Sequence, residues 1–220
     1  MKDLIKVIIN ELRDHKTILD VGVGTGRFAK PLQEYGFRVV GVDIASRMLK
    51  RAREKSVRNL VRGGVCSLPL KGKVFDAAVC IHLLHLVSEW KMALREICRV
   101  TRKLMLSTTY TTRNPVRQSY SRLLKDCGYK TRRVGKGEWE LAEVVRPSKS
   151  VSATAFSNKA DELLNYLEQR AYSSQWEIPE DVNRKIVNEL RGKYSGRAFP
   201  AEMRVLVWDI YDLESTVEFQ

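Results

Sequence analysis

Ile18-Leu19-Asp20-Val21-Gly22-Val23-Gly24-Thr25-Gly26 is a compact apolar run that breaks into three glycines at alternate positions. Thr17–Val21 reads as a buried strand, and Arg27–Tyr35 beyond the glycines reads as a helix stopped by Gly36. Glycines let the backbone approach a ligand closely and adopt positive φ. A helix N-terminus offers free N–H groups and the positive end of a dipole, suited to an anion such as a carboxylate. A second strand, Phe37–Val42, ends in Gly41-Val42-Asp43. An acid at the tip of the second strand of an α/β sheet is where a ribose diol is held.

Outward from this unit the pattern repeats. Ala45–Lys55 reads as a helix, Arg58–Arg62 as a weaker strand, and Val74–Ile81 as an unbroken apolar strand of the buried parallel type. A helix follows from Ser88 to about Arg99, then a strand at Lys103–Thr109, then a helix opened by Asn114-Pro115 and stopped near Gly128. Strict alternation of β and α predicts an α/β fold with a parallel sheet covered on both faces. After residue 128 the pattern changes. Strand-like runs occur at Tyr129–Val134 and Val151–Phe156, helical segments at Lys159–Ala171 and Glu180–Arg191, and a final strand at Met203–Tyr211. The expectation is a single domain over residues 1–220, with about 146–198 forming a small helical insertion or lid. Leu4, Val7, Ile8 and Leu12 sit at helical spacing, so Met1–Lys16 reads as an amphipathic helix.

The composition is that of a folded chain. Of 220 residues, 44% are hydrophobic and 30% charged. No apolar stretch reaches the roughly 20 residues of a membrane span, and the charged N-terminus lacks a signal-peptide core. Cys66, Cys80, Cys98 and Cys127 are widely spaced, as expected of reduced thiols in a cytoplasmic protein. No His, Cys and carboxylate cluster has metal-ligand spacing, so no metal is expected. The net charge is +13. Residues 47–62 and 113–136 concentrate Arg and Lys against one acid each, Glu54 and Asp126. Such clusters fit either a solvated surface or a nucleic-acid partner.

Three cofactor classes use a glycine turn of this kind. The nicotinamide fingerprint is GxGxxG; here the third glycine falls one residue early and Arg27 takes its place. The P-loop pattern GxxxxGK[ST] is absent. Asp-x-Gly-x-Gly-x-Gly followed by Asp43 resembles the first motif and acidic loop of class I S-adenosylmethionine-dependent methyltransferases. Phe75-Asp76-Ala77-Ala78-Val79-Cys80 resembles that family's fourth strand, and His82-Leu83-Leu84-His85-Leu86 its substrate-facing segment. Ala93–Val100 resembles its helix before strand five. Together, over about residues 17–109, these pieces resemble the branch of ubiquinone- and menaquinone-biosynthesis-type enzymes.

The resemblance implies a Rossmann-like, doubly wound, seven-stranded sheet, mainly parallel, with the antiparallel strand near Met203–Tyr211. It implies S-adenosyl-L-methionine as cofactor and S-adenosyl-L-homocysteine as product. Asp20, Gly22, Gly24 and Gly26 would shape the methionine pocket, Asp43 would accept from the ribose hydroxyls, and Ile44 would lie against adenine. Where relatives carry an Asp for the adenine amino group, this chain has Gly64, so backbone near Val65 and Cys66 takes that role. The glycine-rich turn usual before strand five is missing.

Methyl transfer from a sulfonium needs alignment and exclusion of water more than a catalytic triad. His85, just past the fourth strand, is the candidate general base, with a packing role as the alternative. His82 reads as a pocket-wall residue. Tyr110, and the Tyr172-Ser173-Ser174 and Trp176 stretch of the lid, are candidate acceptor contacts. The Asn/Asp-Pro-Pro-aromatic signature of base-amino methylation is replaced here by Ile81-His82-Leu83-Leu84, and no Pro-Cys nucleophile is present. These features favour a small-molecule acceptor. The basic clusters, with Tyr110 and Tyr120 interleaved, favour RNA. A non-catalytic cofactor-binding module acting through a partner is the third reading; no membrane partner is expected.

Overall fold

Burial on both faces sets the centre of the sheet. In a computed structural model describing residues 2–110, 114–129, 137–171, 175 and 177–218, β1 (Thr17–Val21) and β4 (Phe75–Cys80) pair in parallel, with Leu19 opposite Ala78 and Val21 opposite Cys80. Their small and branched side chains are almost wholly enclosed, as a parallel strand between two helical layers requires. Asp76, a partly buried polar residue of β4, ties that strand to the start of β1. Its Oδ2 accepts from the Lys16 and Thr17 N–H groups and the Thr17 hydroxyl, and its Oδ1 accepts from Arg102. Burial alone would raise its pKa, but these donors hold it well below the usual carboxylate range.

The sheet order is β3-β2-β1-β4-β5-β7-β6. β2 is Arg38–Asp43, β3 Leu60–Arg62, β5 Thr101–Tyr110, β6 Lys149–Lys159 and β7 Ala198–Asp209. The first five strands are parallel, and β5-β7-β6 is antiparallel. This is the seven-stranded, mainly parallel, Rossmann-like α/β sheet that the resemblance implies. β3 starts later than Arg58 because Asn59 takes a left-handed conformation, φ 56°, which breaks the extended run. The residue run expected as a strand from Tyr129 lies outside the described residues from position 130.

The chain divides into two compact units. One comprises Met1–Thr109, Val134–Thr154 and Arg204–Gln220, the other Tyr110–Arg133 and Ala155–Met203. In the first, α1 (Lys2–Leu12) buries Leu4, Ile8 and Leu12, one stripe at i, i+4, i+8; each stabilises by about 1.5–3 kcal/mol. α2 (Ala29–Tyr35) begins two residues later than expected and ends at Gly36, whose φ of 115° lets its N–H close on Gln33 and Leu32. α3 (Ser46–Glu54) and α4 (Trp90–Val100) cover the sheet further along. α6 (Glu138–Val144) and α9 (Ile210–Glu218) belong to this unit and were not expected from the sequence.

In the second unit α5 (Pro115–Asp126), α7 (Ala160–Glu168) and α8 (Glu180–Tyr194) share a core that includes Tyr120, Leu164, Leu167, Val187 and Leu190. Asn114 caps α5 through Oδ1, which accepts from the Val116 and Arg117 N–H groups. Gln175 is buried there, donating to the Leu167 carbonyl at 2.8 Å and the Tyr120 hydroxyl at 3.1 Å. Among the described residues no helix is long and apolar enough to cross a membrane.

Candidate functional site

The glycine turn leaves β1 at its C-terminal end, where open α/β sheets hold ligands. Gly22, Gly24 and Gly26 all take left-handed φ, 72°, 54° and 77°. The turn is anchored to the neighbouring strand: the Gly22 and Val23 N–H groups both donate to the Val42 carbonyl, at 2.8 and 2.9 Å. The glycines differ in their surroundings. A Cβ on Gly22 would lie 2.9 Å from Leu83 Cδ1, and one on Gly26 would lie 2.4 Å from Val57 Cγ2. A Cβ on Gly24 would meet nothing nearer than the Gly22 carbonyl oxygen at 3.9 Å. Two glycines therefore fit the chain against itself, and the middle one faces open space.

Asp43 ties the second strand to the turn. Its Oδ2 accepts from the Gly24 N–H at 2.9 Å and its Oδ1 from the Ala45 N–H at 2.8 Å. An ionised carboxylate has about four acceptor positions, so both oxygens retain capacity for a diol. Ile44, next in sequence, is 70% exposed, and Gly64 lies under it: a Cβ there would be 3.9 Å from Ile44 Cδ1. Gly64 and Ser67 close a small turn with Val65 and Cys66 at its tip. Burial, with the charges of Glu89 and Glu96, pushes the Cys66 thiol up, so it stays protonated.

Asp20 is buried at the end of β1, and burial pushes its carboxyl up to about 7; an Ala29 N–H opposes this and the Asp43 charge adds to it. Its Oδ2 has no hydrogen-bond partner. A buried carboxylate oxygen without a donor is costly, and a cationic ligand group is the natural remedy.

Past β4 the chain takes an unusual conformation at His82, φ 58°. Non-glycine residues there carry local strain of the kind that clusters at ligand sites. The His82 imidazole keeps solvent contact, yet crowding by protein atoms, with the charges of His85 and Arg27, lowers its pKa. His85 lies in a single turn of 3-10 helix, Leu84–Leu86, with the two imidazole centroids 6.5 Å apart.

The structure thus gathers Asp20, the three glycines, Asp43, Ile44, Val65, Cys66, His82 and His85 beyond the C-terminal ends of β1, β2, β3 and β4. Tyr110 belongs to the other unit, half exposed, its ring 6.1 Å from that of Phe156. Tyr172, Ser173, Ser174 and Trp176 lie outside the described residues. Sequence reasoning missed the Glu96–Arg99 pair on α4. Glu96 Oε2 accepts from the Leu68 N–H at 2.7 Å, and Arg99 donates to the Leu68 and Leu70 carbonyls at 3.0 Å. The pair pins the segment carrying Val65 and Cys66; its i, i+3 spacing was the available signal. Leu83 over Gly22 had no sequence signal. A cavity of about 740 Å³ bordered by Lys73, Arg95 and Glu214 shares no residue with this rim.

Residues 19–104, which contain this whole rim, match a family model described as a methyltransferase domain. Over these residues the chain carries a methyltransferase domain similar to that of class I S-adenosylmethionine-dependent enzymes. Among curated relatives, an uncharacterized methyltransferase, YcgJ of Bacillus subtilis, is 31% identical over 115 residues, 48% of this chain and 46% of that one. A demethylmenaquinone methyltransferase of Renibacterium salmoninarum is 34% identical over 112 residues, 49% of this chain and 47% of that one. The chain spans about half the length of these relatives. The crystal structure of the Bacillus subtilis YcgJ protein superposes with a TM-score of 0.62, covering 95% of this chain and 98% of that one at 20% identity, a likeness of fold.

Proposed function

We propose that this protein binds S-adenosyl-L-methionine along the rim and transfers its methyl group to a small-molecule acceptor. The observation that carries the reading is the pairing of an orphaned, buried Asp20 oxygen with the doubly anchored Asp43 on either side of a glycine that faces open space. These residues fit the cofactor. Asp20 would take the ammonium of the methionine portion, Gly24 would allow close approach, Asp43 would hold the ribose hydroxyls and Ile44 would cover the adenine. Bound there, the cofactor supplies a sulfonium methyl already activated for displacement. The chain's own work is to align the acceptor, exclude water and, through His85, take a proton from an acceptor nucleophile that must lose one. A small acceptor is supported by Ile81-His82-Leu83-Leu84 in place of a base-methylation signature, and by the relative named for demethylmenaquinone.

The test is transfer of radiolabelled methyl into host extract, fractionated into small molecules, RNA and protein, with Asp20→Ala as control. Label in small molecules supports the reading; label in RNA overturns the acceptor. Tight cofactor binding with no label anywhere points to a non-catalytic module. His85→Ala should lower turnover about 10²-fold with cofactor affinity unchanged; unchanged turnover makes His85 a packing residue.

Asp20 also sets a pH dependence. The free protein holds this proton until about pH 7, whereas a cationic ligand group demands the carboxylate. Affinity should therefore rise about tenfold between about pH 6 and 7.5, with net proton release in calorimetry below pH 7. Asp20→Asn should flatten the profile; a slope that survives this change assigns it to another group.

A further inference from the structure

The first unit carries a cationic face that the methyl-transfer reading does not use. Arg47, Lys50, Arg51 and Arg53 project from α3, and Arg58 follows it; all are exposed. Among the described residues their side chains form no ion pair or hydrogen bond, whereas Lys6, Lys30, Arg99, Arg102, Lys149 and Arg191 all pair with acids. Arg47 and Lys50, Arg47 and Arg51, and Lys50 and Arg53 stand at i, i+3 or i, i+4, where like charges oppose the helix. The face is self-repulsive until an anion covers it.

Next to it lies a groove of about 610 Å³ bordered by Lys30, Gln33, Glu34, Arg53, Val57 and Arg58. Its wall is a built feature: Gln33 Nε2 donates to the Arg58 carbonyl at 2.8 Å, and the Arg58 N–H donates back to Gln33 Oε1 at 3.1 Å. Tyr35, directly after Glu34, is 60% exposed and braced by the buried Phe37, ring centroids 5.3 Å apart. The face also adjoins the cofactor turn, since Lys55 donates to the Thr25 hydroxyl at 3.1 Å.

We propose that the α3 face and this groove dock single-stranded stretches of RNA. Arg53 and Arg58, unpaired and lining a concave path beside the other α3 cations, match a phosphodiester chain, and an exposed, braced tyrosine offers a surface for an unpaired base. A bilayer fits poorly. Interfacial binding requires an apolar face to insert, and on α3 Leu49 and Ala52 are buried, leaving Met48 alone as an exposed apolar side chain. The inference goes beyond the small-molecule reading: RNA held here is a partner whichever acceptor takes the methyl.

The test is fluorescence anisotropy with a short labelled single-stranded RNA over a salt series. The full chain is compared with a variant combining Lys50→Glu, Arg53→Glu and Arg58→Glu. The expected result is a log Kd against log salt slope of about 0.7 per phosphate contacted, summing to several phosphates. The variant should lose tenfold or more in affinity and have a shallower slope, while binding S-adenosylmethionine normally in calorimetry. If the reversals disturb folding, the corresponding Gln triple serves instead. The proposal is overturned by salt-independent binding, by a folded variant that binds like the parent, or by tighter binding to phosphatidylglycerol vesicles or duplex DNA than to this RNA. Failure of the parent chain to bind S-adenosylmethionine would remove the methyl-transfer reading and leave the RNA result standing.

Discussion

Alanine at position 26 should leave a markedly destabilised protein, and alanine at position 24 a stable protein that holds its cofactor far more weakly. Both glycines have left-handed φ, 77° and 54°, and a Cβ in that region costs about 1–2 kcal/mol. What separates them is the neighbour. At position 26 the Cβ would fall 2.4 Å from Val57 Cγ2 and 3.5 Å from the Ala52 Cβ. Val57 and Ala52 are both buried, so the clash is relieved only by moving the turn or α3. Overpacking adds about 1–3 kcal/mol, for a sum of roughly 2–5 kcal/mol against a total stability of about 5–15. A thermal midpoint lowered by about 4–20 °C follows for a chain of this size. At position 24 the nearest atom is 3.9 Å away, so the midpoint should fall by only a few degrees. The methyl would occupy the space assigned to the cofactor, and affinity should drop by about two orders of magnitude, a loss of roughly 3 kcal/mol. Scanning fluorimetry and calorimetry on the two variants separate the effects. Normal cofactor binding by Gly24→Ala would remove the glycine turn from the site.

The same turn shows how far the sequence could be read. β1, β4 and the glycines were legible because buried parallel strands and left-handed turns leave few residue choices, and Asp43 was legible because the acid ends a strand. Where chain geometry depends on contacts distant in sequence, the signal fades. Arg27–Phe28 have helical residue types but belong to the turn, so α2 starts at Ala29. α6 opens at Gly137, whose N–H donates to the Glu140 carboxylate at 2.7 Å, with no polar side chain at the cap position to announce it. α9 was hidden by continuity: Ile210 and Tyr211 extend the β-rich run of β7, and the break comes from Asp209, whose Oδ1 accepts from the Tyr211 N–H at 2.8 Å. In the site, the Asp20 carboxyl could be named from its motif, but its orphaned oxygen and raised pKa are properties of enclosure. The positive φ of His82 had no signal, because histidine does not announce that conformation.

Asp43→Ala should reduce S-adenosylmethionine affinity by at least 100-fold while leaving the domain folded. Two charge-assisted hydrogen bonds to a ribose diol contribute about 1.5–3 kcal/mol each, and alanine removes both acceptors. The same carboxylate also accepts from the Gly24 and Ala45 N–H groups, so the substitution strips the turn of an anchor. Two partly buried donors left without it cost about 1–3 kcal/mol in all, since water reaches them, or a midpoint shift of about 3–9 °C. Asp43→Asn separates the roles: its single carbonyl oxygen keeps part of the turn, so the midpoint should recover more than the affinity does. A third readout ties the variant to Asp20. The Asp43 charge contributes to raising the Asp20 pKa, so its removal should move the pH profile of any residual binding toward lower pH. Unchanged affinity in Asp43→Ala would end the ribose assignment. Lost affinity with an unmoved Asp20 profile would keep that assignment and break the electrostatic link between the two carboxylates.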